Sequence, residues 1–275
     1  MICTPKLAVL TASAAIVFAL LGHTSFAVAA AGTPETEQLN SILERTTGQT
    51  SVFLEQFSDV KCTEQVRQEK LGKDNKVELK EESTYDYLVI LTNAGGELSL
   101  AESRIPIHEA KKDRKNTSML LSNGFATLFL VFHPIYADSF KFTLGEQEVI
   151  AGKTLQKIAF QHIPGMKSPA ALALRGREYP LELTGTAWID PQTGSIAKIE
   201  AGIADTLQDV GLKSLNSEVD FAPLSFTDSN SKQAFWFPTA ARVEVETARQ
   251  HWRNLHQFTG YKKFSVSTEE KVTQK

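Results

Sequence analysis

From Val60 almost to the C-terminus, apolar and polar residues alternate with period two between short turn signals, and no other feature limits the possible folds as much. Strict alternation sends successive side chains to opposite faces of a pleated strand, so one face can be buried while the other stays wet. The stretch Leu181–Glu200, LELTGTAWIDPQTGSIAKIE, shows the pattern most clearly. At its centre Asp190-Pro191-Gln192-Thr193-Gly194 supplies an acceptor side chain, a fixed φ and a glycine free to take φ > 0, which predicts a hairpin. Leu181, Leu183, Ala187 and Ile189 share one parity of the incoming strand, and Thr184, Thr186 and Trp188 share the other. Alternation alone leaves open which set faces the core.

The same period recurs along the chain. Val60, Cys62 and Val66 alternate with Lys61, Thr63, Gln65 and Arg67. Gly72-Lys73-Asp74-Asn75 leads into the odd-numbered series Val77 to Leu91, one long strand or two short ones, and Asn93-Ala94-Gly95-Gly96 turns the chain toward Leu98 and Leu100. Strands are expected again at Phe140 to Leu144, with a turn near Gly145, then through Val149 and over Lys157 to Ile163. Later runs lie around Leu215 to Phe221, Phe235 to Glu246, and Trp252 to Val266. About ten sequential strands joined by short turns predict an α+β fold built on a mainly antiparallel sheet.

Helical spacing interrupts this pattern twice. Leu39, Ile42 and Leu43, then Val52, Phe53, Leu54 and Phe57, fit two short amphipathic helices separated by Gly48, with Thr33-Pro34 as the start. Phe125, Leu128, Phe129 and Phe132 at i, i+3, i+4, i+7 predict a short apolar helix ended by Pro134, with His133 in its last turn facing the dipole. The charged segment Pro106–Asn116 is expected to be an exposed loop, and Ser225–Gln233 is the one linker-like stretch. Residues 32–275 read as one domain, with a frayed tail over Glu269–Lys275.

Ahead of that domain, Lys6 precedes an apolar run from Leu7 to Leu21, and Ala27-Val28-Ala29 supplies the small residues of a signal-peptidase site. Residues 1–31 are therefore expected to be a secretory signal peptide, leaving about 244 residues, no lipobox cysteine and no second apolar stretch long enough to span a bilayer. A soluble periplasmic product follows. Cys62 alone survives cleavage, so no disulfide framework is available. The formal charge moves from −3 to −4 on cleavage, and no basic nucleic-acid surface is indicated.

Chemistry-bearing motifs are sparse. There is no G-x-S-x-G nucleophile elbow. Ala151-Gly152-Lys153-Thr154 ends like a phosphate-binding loop, but the first glycine would fall at Gln147, so Gly152 reads as a turn. His251 and His256 lie an odd number apart on a strand and point to opposite faces, and no histidine pair has metal-ligand spacing. Cys62 shares parity with Val60 and Val66 and reads as a buried, inert thiol. Asn116-Thr117-Ser118 matches a glycosylation sequon. No enzyme activity, cofactor or metal is expected.

The strongest remaining signal is apolar. With 16 phenylalanines and three tryptophans, the chain holds more ring area than a thin sheet needs for its own packing. TAWIDPQTGSIAKIEA and FWFPTAARVEVE resemble the late-sheet hairpin and following strand of exported bacterial proteins of the LolA-like periplasmic lipoprotein-carrier superfamily, and the order of elements is similar to theirs. That resemblance implies an unclosed, strongly curved sheet, a half-barrel of about ten strands, lidded by helices. It implies a concave apolar face that accepts a lipid or the acyl group of a protein. Phe129, Phe132, Phe140, Phe142, Trp188, Phe221, Trp236 and Trp252 are the candidate groove residues. Burying a fourteen-carbon chain at about 0.8 kcal/mol per CH₂ yields about 11 kcal/mol before ordering costs. An alternative is a cell-envelope interaction module whose groove is filled by its own phenylalanines and which binds an envelope protein instead.

Overall fold

The computed structural model describes residues 33–57, 60–94, 97–108, 124–174, 177–224 and 235–263. The leader and its cleavage site, the Gly95-Gly96 turn, the sequon at Asn116, the stretch 225–234 and the tail from Phe264 onward lie outside the described residues.

Twelve strands follow one helix among the described residues. Helix α1 spans Pro34–Phe57. The strands are β1 (Val60–Leu71), β2 (Val77–Ala94), β3 (Glu97–His108), β4 (Phe140–Ile150), β5 (Lys153–His162), β6 (Ala171–Leu174), β7 (Arg177–Pro180), β8 (Leu183–Ile189), β9 (Ile196–Ile203), β10 (Leu212–Leu224), β11 (Phe235–Thr247) and β12 (His251–Lys263). Ten of them form one curved, open sheet in the order β3-β2-β1-β12-β11-β10-β9-β8-β5-β4, and β6 and β7 pair as a separate small ribbon. Every pairing is antiparallel, and β3 and β4 remain unjoined edges. Most neighbours are sequential, as short turns dictate. The exception that organises the sheet is β1 on β12, where Val66 stands opposite His256.

Several sequence expectations are corrected. Gly48 does not divide the first helical stretch: α1 runs unbroken for 24 residues. A Cβ at Gly48 would meet nothing within 4 Å, so the position is solvent-facing and the apolar stripes on either side continue beneath it. Gly145 makes no turn; it lies in β4 where the pairing with β5 shifts register between Leu144 and Gln147, a bulge, and the reversal comes at Ala151-Gly152, both at positive φ. Pro106–His108 belong to edge strand β3 rather than to a loop. The apolar segment Phe125–Phe132 is a 3-10 helix, not an α-helix, with Leu128 to Phe132 all buried. Eight residues is long for that geometry, and burial of Leu128 to Phe132 holds the segment in place. His133, next in the chain, caps the segment with its amide on the Leu130 carbonyl; burial lowers its imidazole pKa, and its Nδ1 accepts a hydrogen bond from the Ile135 amide (3.3 Å).

The parity question in the β8–β9 hairpin is settled. Leu183, Ala187 and Ile189 join the core with Ile158, Phe160, Ile199, Ala201 and Val219 on the face covered by α1 and the 3-10 segment. Trp188 stands on the opposite face. It is nonetheless only 8% exposed, because the ammonium groups of Lys157 and Lys198 lie 5.5 and 5.1 Å from its ring centroid and its indole N–H donates to Glu148 (3.0 Å).

The turn of that hairpin also seats the helix. Asp190 Oδ1 accepts the amides of Gln192 and Thr193, and Gly194 takes φ 75°. A Cβ on Gly194 would lie 2.5 Å from the carbonyl carbon of Arg45 and 2.6 Å from the amide nitrogen of Thr46, so only glycine lets α1 approach this closely. Gly194→Ala should therefore cost roughly 1–3 kcal/mol, combining strain with displacement of α1. Urea unfolding checks this: the midpoint should fall with an unchanged m-value.

Candidate functional site

The functional geometry lies along one stripe of α1. Leu43, Thr47 and Thr50 recur at i, i+4, i+7 and so face the same way, and with Phe53 they cover about 15 Å of helix length. Under the C-terminal part of this stripe is a cleft of about 40 Å³ lined by Phe53, Phe129, Ile196, Phe221 and Trp236, with Gln49, Thr50, Gly194 and Ser195 on its polar side. Phe53 packs edge-on against Phe129, with centroids 4.7 Å apart, and lies 6.2 Å from Phe221. The Thr50 hydroxyl is buried here and has no hydrogen-bond partner, unlike Thr46, whose hydroxyl donates to the Ile42 carbonyl.

Under the N-terminal part lies a wider, open recess of about 360 Å³, lined by Leu43, Glu44, Thr47, Phe132, Ala137, Asp138, Phe140 and Phe142. Phe132 stacks on Phe142 at 5.3 Å, and Phe140 meets Phe160 edge-on at 6.0 Å. Phe129 and Phe132 are three apart in a 3-10 helix and therefore eclipsed, roughly 6 Å apart along its axis. One belongs to the cleft and the other to the recess, so the two hollows follow one another beneath α1.

Six of the eight candidate groove residues are brought to this stripe: Phe129, Phe221 and Trp236 in the cleft, and Phe132, Phe140 and Phe142 in the recess. A register shift in the β10–β11 pairing between Asp220 and Phe221 accompanies the placing of both Trp236 and Phe237 against the core. The other two lie elsewhere. Trp188 is on the outer face, and Trp252 is buried on β12 opposite Val245 and Lys70, its indole N–H 3.3 Å from the Gln250 side chain. Phe53 and Ile196 complete the cleft without having been singled out as groove residues. Phe53 lay in the helical stripe and Ile196 in the hairpin, but only the β8–β9 contact with α1 places them together.

A second cluster, at the opposite end of the sheet, is polar and went unrecognised in the sequence. Glu64 on β1 accepts two hydrogen bonds from Arg104 on β3 (Nε 2.5 Å, Nη2 2.9 Å) and one from His256 Nδ1 on β12 (2.8 Å). Arg104 also pairs with Glu102 (3.0 Å) and lies 5.0 Å from the Tyr87 ring centroid, while Glu102 accepts the Gly124 amide (2.7 Å). Burial by itself would raise the Glu64 carboxyl, but the hydrogen bonds from His256 and Arg104 outweigh it and hold it below the ordinary carboxylate range. Glu102 goes the other way, raised by burial against the opposing charge of Arg104. The Glu64 and His256 side chains are both 0% exposed, so no dissolved substrate reaches them and the cluster acts as an internal tie between three strands. Nearby Cys62 is pushed up to about 12, chiefly by burial, and is inert at neutral pH. Among the described residues no group of three or more His, Cys, Asp or Glu side chains could hold a metal ion.

No protein-family model and no curated protein sequence matches the chain. Among solved structures, a DUF1329 family protein from Desulfovibrio piger is similar at TM-score 0.40 and 11% identity, over 86% of this chain and 96% of that one. An outer membrane lipoprotein-sorting protein domain from Vibrio parahaemolyticus is similar at TM-score 0.38 and 10% identity, over 82% of this chain and 94% of that one. Both scores lie below 0.5, so the function is argued from the geometry of the chain itself.

Glu64→Gln should destabilise the fold by roughly 3–5 kcal/mol, because Arg104 stays buried without its bidentate carboxylate. Glu64 is lowered in the folded state, so its contribution is present above the unfolded value near 4.5 and is lost as pH falls through the folded value. Urea midpoints measured from about pH 6 to about pH 3.5 should therefore fall less steeply in Glu64→Gln than in the parent.

Proposed function

We propose that this is an exported, periplasmic binding protein that takes a single apolar chain, such as the acyl group of a lipid or lipoprotein, into the groove beneath α1, with α1 as a movable cover. The observation that carries this reading is the weakness of α1 over the apolar groove. Its middle, Arg45-Thr46-Thr47-Gly48-Gln49-Thr50-Ser51, is poor in helix formers, and the Thr46 and Ser51 side chains hydrogen-bond back to the carbonyls of Ile42 and Thr47. Gly48 costs about 1 kcal/mol relative to alanine, and a Cβ there would meet nothing. Packing does not ask for glycine at this point; a helix that must bend or lift does.

Magnitudes favour such an opening. Fully exposing a buried Leu or Phe side chain costs about 1.5–3 kcal/mol, so lifting the half-buried Phe53 with the buried Leu54 and Phe57 costs about 4–8 kcal/mol. A fourteen-carbon chain yields about 11 kcal/mol on burial, enough to leave a surplus before its own ordering is counted.

The cleft volume of about 40 Å³ favours a second reading, an envelope interaction module whose groove is already filled by Phe53, Phe129 and Phe221. In that case the exposed Ile90, Ile105 and Ile107 at the β2–β3 edge offer a surface for a protein partner.

Titration with a fluorescent fatty-acid probe, together with native mass spectrometry and lipid extraction after purification from the native host, separates the two. The carrier reading expects saturable probe uptake and co-purified lipid. It also expects Gly48→Ala to stabilise the protein by about 1 kcal/mol while slowing uptake several-fold. A folded parent protein that takes up no probe and carries no lipid leaves only the interaction module.

A further inference from the structure

Resting on the groove reading above, we propose that the chain it takes is a fatty acid, and that Lys153 binds the carboxylate at the mouth of the cleft. Lys153 is the first residue of β5, directly after the tight Ala151-Gly152 reversal, where φ is 49° and 78°. Its ammonium lies 4.6 Å from the ring centroid of Trp236, a residue that lines the cleft, so a full positive charge stands one ring's breadth from the apolar space. The ring holds the ammonium in place without neutralising it.

Lys153 is exposed and has no carboxylate partner among the described residues, which is also true of Lys76, Lys141 and Lys167; what sets it apart from these is its place on the ring of Trp236 beside the cleft. Two hydroxyls in the cleft lining can complete an anion site. Ser195 Oγ accepts from Thr193 and keeps its own O–H to donate, and the buried Thr50 hydroxyl has no partner. The other end of the groove has the opposite sign: Glu44 and Asp138 line the recess and repel an anionic head. Charge therefore orients the ligand, with its head at Lys153 and its tail toward Phe132, Phe140 and Phe142. A single cation at a narrow mouth matches one negative charge on one chain, which describes a fatty acid and not a diacyl lipid.

The test measures displacement of an uncharged fluorescent probe by palmitate and by hexadecanol, which share a chain length and differ in head charge. The parent protein should prefer palmitate by about fivefold or more, the scale expected of one partly exposed ion pair with added hydrogen bonds. Lys153→Gln should remove that preference by weakening palmitate alone, and Lys76→Gln, an exposed charge control, should leave both affinities unchanged. Equal affinity of the parent for both ligands, or equal loss of both in Lys153→Gln, overturns the assignment of Lys153 while the groove reading survives. If neither ligand displaces the probe, or the probe itself does not bind, the groove reading and this one fall together.

Discussion

The ion cluster of Glu64, Arg104 and His256 is the interaction on which the sheet depends, because it ties β1 to strands from distant parts of the chain. β1 pairs with β12 near the other end of the sequence, and β3 is held through Arg104 across the intervening β2. Burying these charges is costly unless they satisfy one another, and Glu64, with three hydrogen bonds reaching its carboxylate, does so. An apolar trio could fill the same volume, but it would tolerate other registers. A carboxylate with fixed donors on two other strands does not, since slipping β12 by one residue would send His256 to the far face. The cluster thus sets register as well as contributing energy.

Away from this cluster the sheet is held by apolar packing instead. α1 is pinned where its Arg45–Thr46 backbone rests on Gly194, and it is weakest one turn further on at Gly48. Beyond Gly48 the helix carries Phe53, which meets Phe129 and Phe221, and Leu54 and Phe57, which are buried in the core. The 3-10 segment beneath it, buried from Leu128 to Phe132, contributes Phe129 to the narrow cleft and Phe132 to the wide recess.

Much of the fold was legible because period-two alternation is a direct record of one buried face, as in Val60–Cys62–Val66 or Val243–Val245. The hairpin chemistry of Asp190 to Gly194 was equally plain. Parity, however, has no sign: Trp188 is as apolar as Ile189, and only the two lysines stacked on its ring, which come from neighbouring strands, make the outer face acceptable to it. Local rules also misread Gly48, because a glycine in an exposed helical position weakens a helix without ending it. The ion cluster was hidden for a different reason. Glu64 shares the buried parity of Val60, Cys62 and Val66, so its placement inside was legible, but the partners that make it tolerable there are 40 and 192 residues away. Six of the eight candidate aromatic residues line the two hollows because bulky rings in strands and helix stripes converge on whatever the sheet encloses; the distinction between cleft and recess needed the path of α1.

Pairing β1 with β12 has a consequence for the order in which the molecule can be completed. A chain that emerges N-terminus first from a ribosome or a narrow translocation channel presents β1 early, with β2 and β3 able to form a meander beside it. The other edge of β1 then has no mate until β12 has followed. Until then His256 is missing and Glu64 has only Arg104, so the sheet is both unsealed and short of a charge partner. Such a topology folds slowly, as long-range pairing does in general. β12, the last of the described strands, is in effect the latch on that edge.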